Sequence, residues 1–122
     1  MNSHAEAIEL PLPLTAAMFQ VLLSLAEGEK HGYAILKDVA EQTHGEVKLS
    51  AGTLYGIIKR LLNEGMIVEN RHRPDREYVD ARRRYYLLTD WGRTVAIAEA
   101  ERMEKLVAAA RAKHLLKRLK SV

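Results

Sequence analysis

Apolar residues recur at helical spacing through the first half of the chain. Between residues 14 and 65 they form three groups, each with side chains three and four positions apart, the period of a helix that buries one face. The groups are Met18, Val21, Leu22 and Leu25; Ile35, Leu36, Val39 and Ala40; and Leu54, Ile57, Ile58, Leu61 and Leu62. Thr15 and Ser50 are typical N-cap residues, and Gly28, Gly45 and Gly65 stand where helices commonly end. The pattern predicts three short helices around one small core.

The period changes after Gly65. Met66, Ile67 and Val68 form a short apolar run, and residues 84–88 form another, with a polar, arginine-rich stretch between them. These runs predict two strands of a hairpin joined by a long charged loop. Thr89 is a suitable N-cap for a final helix, and neither proline nor glycine interrupts residues 93–122. At ~1.5 Å per residue such a helix is on the order of 40 Å long, longer than the core before it.

Three short helices followed by a charged hairpin is the element order of a winged helix-turn-helix, whose third helix enters the DNA major groove. We therefore predict a mainly α fold of the α+β class. It divides into an N-terminal arm at residues 1–13, a winged helix-turn-helix domain at 14–89 and a long C-terminal dimerisation helix at 90–122. We expect Trp91 and Val95 to pack within the monomer, and arginine and glutamate residues to occupy the outer faces of the final helix.

The distal part of the final helix carries an apolar stripe with nothing in the monomer to cover it. Its members are Met103, Leu106, Val107 and Ala110. We expect the same helix of a second copy, or its first helix, to cover them, which makes the chain a homodimer.

Composition narrows the class of protein. The chain has 122 residues, 48% hydrophobic and 29% charged, with no cysteine. One domain is expected at this length, and disulfides, thiolate nucleophiles and cysteine-rich zinc sites are excluded. The apolar stretches are too short to span a bilayer, and the first ten residues carry Glu6 and Glu9 in place of a basic leader. We expect a cytoplasmic protein without a membrane partner.

The formal net charge of +3 is unevenly distributed. Residues 1–70 carry a net charge of −4, residues 71–84 of +3 and residues 85–122 of +4. Local clusters of basic residues are typical of a protein that binds a polyanion such as double-stranded DNA. An arginine-rich solvated surface is an equally good interpretation of the charges alone.

The outer face of the third helix is the candidate reading surface. It consists of Ala51, Gly52, Tyr55, Gly56, Lys59 and Asn63 by helical spacing. A glycine inside a helix costs about 1 kcal/mol relative to alanine, so Gly52 and Gly56 require a reason. Either they let the backbone approach a partner, or Gly52 lies in the first turn and Gly56 packs against the second helix. For Gly56 we favour packing.

No pattern of catalytic or metal-binding residues is present in the sequence. The five histidines are scattered, without the spacing of a metal site, and we expect His31 to orient the turn into the second helix. A Gly-rich phosphate loop, a nucleophile elbow and a spaced carboxylate pair are all missing. We predict neither an enzyme, a cofactor nor a metal site.

Four segments resemble the PadR family of winged-helix transcriptional regulators. They are His31-Gly32-Tyr33, residues 49–55 (LSAGTLY), residues 59–67 (KRLLNEGMI) and residues 83–92 (RRYYLLTDWG). The resemblance covers nearly the whole chain, and a single final helix is similar to the smaller subclass of the family. Two positions depart from the usual pattern: Gly56 replaces a proline, and Ala81 replaces a glycine before the basic pair of the wing.

The resemblance implies a homodimer that binds a near-palindromic operator, usually to repress, and is released by a small molecule or a stress signal. It implies DNA contacts from Tyr33, Ser50, Thr53, Tyr55, Lys59 and the wing residues Arg82 and Arg83. Plainer interpretations exist: Thr53 bonds back to its own helix, and Tyr55 is a half-buried aromatic. Arg71, Arg73 and Arg76 form a solvated loop, whereas Arg82 and Arg83 adjoin a strand on which they lie on opposite faces. In some relatives an aromatic on the final helix stacks on flat hydrophobic drugs; the comparable place here is near Met103, which lines an apolar site but does not stack.

Two other interpretations remain at this point. One is a winged-helix module that dimerises through its last helix and binds protein. The other is a metal-sensing winged helix, which the missing cysteine and scattered histidines disfavour. Salt dependence of DNA affinity separates the first of these from a DNA-binding regulator.

Overall fold

The computed structural model describes residues 9–70 and 84–117. Within them the chain forms four helices and three short strands. In chain order these are α1 (Ala16–Leu25), β1 (Lys30–His31), α2 (Gly32–Gln42), α3 (Ala51–Asn63), β2 (Ile67–Asn70), β3 (Tyr85–Leu88) and α4 (Asp90–Ala112). The predicted winged helix-turn-helix fold, with α4 appended to it, is confirmed.

Side-chain caps begin the helices where the sequence predicted. Thr15, Ser50 and Thr89 each accept a backbone N–H three residues ahead, which satisfies one donor that the first turn leaves unpaired. His31 caps α2 in the same way, because its Nδ1 accepts the N–H of Ala34 at 3.2 Å. The expected structural role of His31 in the turn is thereby confirmed.

One core joins the first three helices to the sheet and to the first turns of α4. Its fully buried aliphatic side chains come from every helix and from β2. They are Val21, Leu22, Leu25, Ile35, Val39, Leu54, Leu61, Met66, Ile67 and Val95. Trp91 is partly buried against this cluster, so both residues expected to pack within the monomer do so.

The sheet contains a strand that the sequence did not predict. The strand order is β1-β3-β2, with all pairs antiparallel. Lys30 and His31 pair with Tyr86 and Tyr85, so β3 is central and anchors the start of α2. The hairpin strands β2 and β3 are confirmed, while residues 71–83 between them lie outside the described part of the chain.

Helix α4 ends earlier than predicted. The sequence suggested a continuous helix to residue 122, but α4 stops at Ala112 and spans about 34 Å. His114 adopts a left-handed φ of 66°, and the N–H of Leu115 returns to the carbonyl of Ala110 at 2.8 Å. This is the hydrogen bond that closes a helix C-terminus. No helix in the described ranges is both long and apolar enough to cross a membrane.

Candidate nucleic-acid interface

Helix α3 is amphipathic, and its outer face is exposed. Leu54, Ile58 and Leu61 are buried in the core, so the opposite side points outward. Tyr55 and Lys59 lie on that exposed side. A short positively charged helix with an accessible face is what the major groove of B-DNA admits.

The two glycines of α3 lie on this exposed face. A Cβ added at Gly52 or at Gly56 would meet no atom of the described residues within 4 Å. The interpretation that Gly56 packs against the second helix is therefore wrong, since α2 does not reach it. What the two glycines provide is a stretch of helix surface where the backbone is accessible to a partner.

The N-terminus of α3 is held by two hydroxyl groups. Ser50 Oγ accepts the N–H of Thr53 at 3.1 Å and donates to Thr53 Oγ1 at 3.0 Å. Both residues are exposed. The plainer interpretation, in which the Thr53 hydroxyl bonds back to the backbone of its own helix, does not describe this bond, because its partner is the Ser50 side chain. Both hydroxyls are accessible to a partner.

Tyr55 and Tyr33 bring two phenol groups to the start of α2. Tyr55 is 51% exposed and Tyr33 is 71% exposed. The hydroxyl of Tyr55 lies directly over Gly32, in space that a side chain at position 32 would occupy. Tyr33 stacks on His31 with ring centroids 6.4 Å apart. Five of the predicted contact residues (Tyr33, Ser50, Thr53, Tyr55 and Lys59) thus belong to α3, its cap and the adjoining start of α2.

Of the predicted wing arginines, Arg84 is the one that lies within the described residues. Its side chain is 63% exposed, with Nε 3.7 Å from Oε2 of Glu69 across the hairpin. Behind it, Tyr85 and Tyr86 are buried, and burial with the nearby charge of Glu69 raises the pKa of the Tyr86 phenol. The two tyrosines are packing residues, as expected. Arg82 and Arg83, the predicted wing contacts, lie outside the described residues.

An ion-pair network that the sequence did not reveal connects α1, β1 and α2. Lys30 pairs with Asp38 and, at 3.1 Å, with Glu27, while Ser24 Oγ donates to Asp38 at 2.8 Å. Burial opposes ionisation of Asp38, yet the hydrogen bonds from Lys30 and Ser24 outweigh it and lower the pKa of this carboxyl. Burial likewise opposes the charge of Lys30, but its two carboxylate partners raise its pKa. The network fixes the strand that leads into α2.

The distal face of α4 carries the predicted dimer stripe. Leu106 is 57% exposed and Val107 is 42% exposed, whereas Met103 and Ala110 are partly covered. Met103 also borders a groove of about 350 Å³ between α1 and α4, with Phe19, Gln20, Leu23 and Arg102 among its other lining residues. Among the described residues no group of His, Asp and Glu is arranged to hold a metal ion.

Comparisons with solved structures agree on the fold. A transcriptional regulator from Clostridium thermocellum is 25% identical, with a TM-score of 0.66 over 79% of this chain and 87% of its own. A PadR family regulator from hypervirulent Clostridium difficile is 21% identical, with a TM-score of 0.67 over 79% of this chain and 95% of its own. Bordetella bronchiseptica BpsR, whose DNA binding is regulated by 6-hydroxynicotinic acid, is 27% identical, with a TM-score of 0.57 over 85% of this chain and 69% of its own.

Three helices, a two-stranded wing and an exposed third helix define a winged-helix DNA-binding protein. The sequence profile of the Transcriptional regulator PadR-like family matches residues 21–98, well over half of the chain. The chain belongs to the PadR-like family of transcriptional regulators. No protein with a curated description matches it significantly.

Proposed function

We propose that this PadR-like regulator is a cytoplasmic homodimeric repressor of a near-palindromic operator, with α3 in the major groove. The observation that carries the proposal is the outer face of α3, where Tyr55 and Lys59 flank two glycines with open space above them. Lys59 and Tyr55 supply donors for bases and phosphates, and Tyr33 and Ser50 supply hydroxyls for the adjoining backbone. Thr53 adds a further hydroxyl. The role of the protein is binding, without a catalytic step.

The wing extends the same surface. Arg84 is exposed at the start of β3, and the sequence places Arg82 and Arg83 immediately before it. Arginines in this position neutralise phosphates and orient the recognition helix without reading bases. We assign Arg82 and Arg83 this role.

Dimerisation through α4 supplies the second recognition helix. Met103, Leu106, Val107 and Ala110 form a stripe whose two large central members, Leu106 and Val107, are exposed in the monomer, and a paired helix removes such a stripe from water. Two α3 helices held about 34 Å apart read two half-sites one DNA turn apart and combine their phosphate contacts.

The groove beside Met103 supports a response to a small hydrophobic effector. Apolar side chains of α1 and α4 line it, together with the polar groups of Gln20 and Arg102, a composition typical of small-molecule sites. Because the groove lies between the winged-helix domain and α4, binding of an effector in it would change the distance between the two recognition helices of the dimer. Titration with planar cationic dyes tests it: saturable binding that weakens in Met103→Ala supports the site, and no binding above background contradicts it.

Gel-shift titration on the DNA upstream of the gene that encodes this protein, repeated at several salt concentrations, tests DNA binding. We expect one site bound far more tightly than bulk DNA, and a Lys59→Ala variant whose salt slope is smaller by about 1. Lys105→Ala removes the same charge from an exposed position on α4 and is the matched control. A reporter behind the bound site, silenced when the protein is expressed, identifies repression. Affinity for DNA no better than bulk at every salt concentration contradicts the proposal and favours a protein-binding winged helix.

A further inference from the structure

Glu99 is a charged residue in the interior of the molecule. It is 2% exposed and shares the buried face of α4 with Gly92 and Val95. The sequence placed glutamates on the outer faces of this helix, so its burial is a correction to that expectation. A carboxylate in such surroundings is tolerated only when its oxygens are hydrogen-bonded or paired with a cation.

Arg102 supplies that pairing from one turn ahead on the same helix. Its Nε lies 2.6 Å from Oε1 and its Nη2 2.8 Å from Oε2 of Glu99, the two-pronged geometry that fixes both groups. The paired guanidinium lowers the pKa of the Glu99 carboxyl despite burial, and the backbone N–H of Leu14 lowers it further. Leu14, which immediately precedes the cap of α1, lines the same groove as Glu99 and Arg102, so the buried carboxylate lies where the entrance of α1 packs against α4.

The Glu99 clamp, meaning Glu99 with Arg102 and the neighbouring Leu14, lies where α4 leaves the winged-helix domain. Glu99 is the last fully buried residue along α4 in the described chain. At 100° per residue, Met103 and Leu106 continue the same face of the helix. Because Glu99 is buried beside the entrance of α1 while Arg102 holds its carboxylate in one orientation, the clamp fixes both the rotation of α4 about its axis and the direction in which the dimer stripe leaves the winged-helix domain.

An ion pair with one fully buried partner adds little net stability compared with apolar residues of similar size, whereas it does specify one arrangement. Here the arrangement is the angle between α4 and the winged helix. Two recognition helices about 34 Å apart lie roughly 17 Å from a shared axis, so a rotation of about 10° displaces each by ~3 Å. That displacement is close to one base-pair step of ~3.4 Å.

We propose that Glu99 is a positioning residue: through its clamp with Arg102 and Leu14 it sets the half-site spacing that the dimer accepts. The inference rests on the proposed function, since it requires a dimer that reads paired half-sites. Glu99 contacts no DNA, so its effect is confined to spacing and leaves the half-site sequence unchanged.

Selection from a pool of random duplex DNA measures spacing directly. Wild-type protein, Glu99→Gln and Arg102→Lys are each incubated with the pool, and the bound DNA is sequenced. Glu99→Gln keeps the side-chain shape and removes the charge, while Arg102→Lys keeps the charge and removes the two-pronged geometry. Glu101→Gln removes a carboxylate from an exposed position two residues away and is the matched control.

We expect the wild type and Glu101→Gln to enrich paired half-sites at a single spacing. In Glu99→Gln and Arg102→Lys the preference for that spacing over one base pair more or less falls about tenfold, as expected for the loss of one charge-assisted pair. The half-site sequence itself is retained.

The outcomes distinguish this inference from the proposed function. If the wild type enriches no sequence, the proposed function fails. If it enriches paired half-sites and both clamp variants keep the same sharp spacing, the positioning role of Glu99 is overturned while the proposed function stands. Circular dichroism accompanies each variant; failure of both clamp variants to fold also overturns the inference, because Glu99 then serves the fold alone.

Discussion

The hydroxyl of Tyr55 occupies the space above Gly32. A Cβ at position 32 would stand 2.7 Å from this oxygen and 3.2 Å from the ring carbon Cζ. Tyr55 belongs to α3 and Gly32 begins α2, so the contact ties the recognition helix to its neighbour. The glycine of the His-Gly-Tyr segment thus makes room for the tyrosine of the Gly-Thr-Leu-Tyr segment.

Gly32→Ala should weaken DNA binding through Tyr55. The new methyl group displaces the phenol ring, which is the movable end of a half-exposed side chain. We expect a loss of about 1 kcal/mol or less in the free energy of unfolding, the low end for added core volume. Operator affinity, measured by gel shift, should fall by more than that stability loss explains.

The Tyr55→Phe variant shows whether Gly32→Ala weakens DNA binding through Tyr55 or through a general loss of stability. Removing the hydroxyl takes away the 2.7 Å clash and leaves the 3.2 Å contact with Cζ. A double-mutant cycle should therefore show a smaller effect of Gly32→Ala on affinity when Phe is at position 55. An equal effect in both backgrounds would show that Tyr55 does not transmit it.

Gly56→Ala should stabilise the protein and weaken its complex with DNA. Position 56 is inside a helix with open space around it, so alanine should add roughly 0.5–1 kcal/mol to the free energy of unfolding. The methyl group obstructs a surface that the proposed function places against the groove. Denaturant unfolding and gel shifts on the same preparation measure both effects.

Gly45→Ala is a useful contrast for Gly56→Ala. Gly45 has a φ of 81° and lies after α2 with open space around it, so alanine there should destabilise without obstructing α3. Tighter DNA binding by Gly56→Ala would contradict a close approach of α3 to its partner.

Gly92→Ala should be strongly destabilising. A Cβ at position 92 would lie 2.0 Å from the carbonyl oxygen of Met66 and 2.8 Å from its carbonyl carbon. Thr89 stabilises this close contact, because its hydroxyl accepts the N–H of Gly92 and its own N–H donates to the Met66 carbonyl at 3.0 Å. Because both clashing atoms belong to the backbone, we expect a loss of about 3 kcal/mol.

Thermal unfolding measures the effect of Gly92→Ala, which we expect to lower Tm by about 10 °C. Gly52→Ala makes the same chemical change where nothing lies within 4 Å and should leave Tm nearly unchanged. Equal Tm values for the two variants would contradict the packing of α4 on the turn before β2.

Features determined by neighbours in sequence were the predictable ones. The caps at Thr15, Ser50 and Thr89 follow from bonds that span three residues, and the core positions of α3 follow from helical spacing. The family resemblance added the residues at which α3 and α2 meet, among them Tyr33 and Tyr55. Their assignment as DNA contacts remains a prediction.

Features that depend on tertiary contacts were not predictable. Lys30 and His31 form a strand only because β3 lies beside them. Glu99 resembles any surface glutamate in sequence, and Leu14, which lines the same groove, is distant along the chain. The accessibility of Gly56 likewise depends on how far α2 extends.

Stability should fall in acid because two carboxyls have lowered pKa values. The Arg102 pair lowers the pKa of Glu99 from its ordinary 4.5, and the bonds from Lys30 and Ser24, outweighing burial, lower the pKa of Asp38 from 3.8. A lowered pKa in the folded state contributes stability that is present above the ordinary pKa and is lost as pH falls through the folded value. The free energy of unfolding, measured in urea from about pH 7 to pH 3, should therefore decline below roughly pH 4.5.

Glu99→Gln isolates one contribution to this decline. The amide does not titrate, so the difference in unfolding free energy between wild type and variant should shrink as the pH falls. Glu101→Gln, at an exposed position, should follow the wild type throughout. A difference that stays constant over the whole range would contradict an ionised Glu99 in the folded protein.

Leu106→Glu should dissociate the proposed dimer and reduce DNA binding with it. Leu106 is 57% exposed in the monomer, so glutamate there costs the isolated fold little but leaves a charge in any helix-to-helix contact. Ala108→Glu introduces the same charge about 150° around α4 from the centre of the stripe, by 100° per residue, and is the matched control. Sedimentation should give a monomer for Leu106→Glu and a dimer for Ala108→Glu, with unchanged Tm at low concentration.

The salt dependence of DNA binding by Leu106→Glu gives a second measurement. Because a monomer contacts half as many phosphates, the salt slope of this variant should fall to about half of the wild-type value. A full slope from a monomer would show that one chain makes all the phosphate contacts.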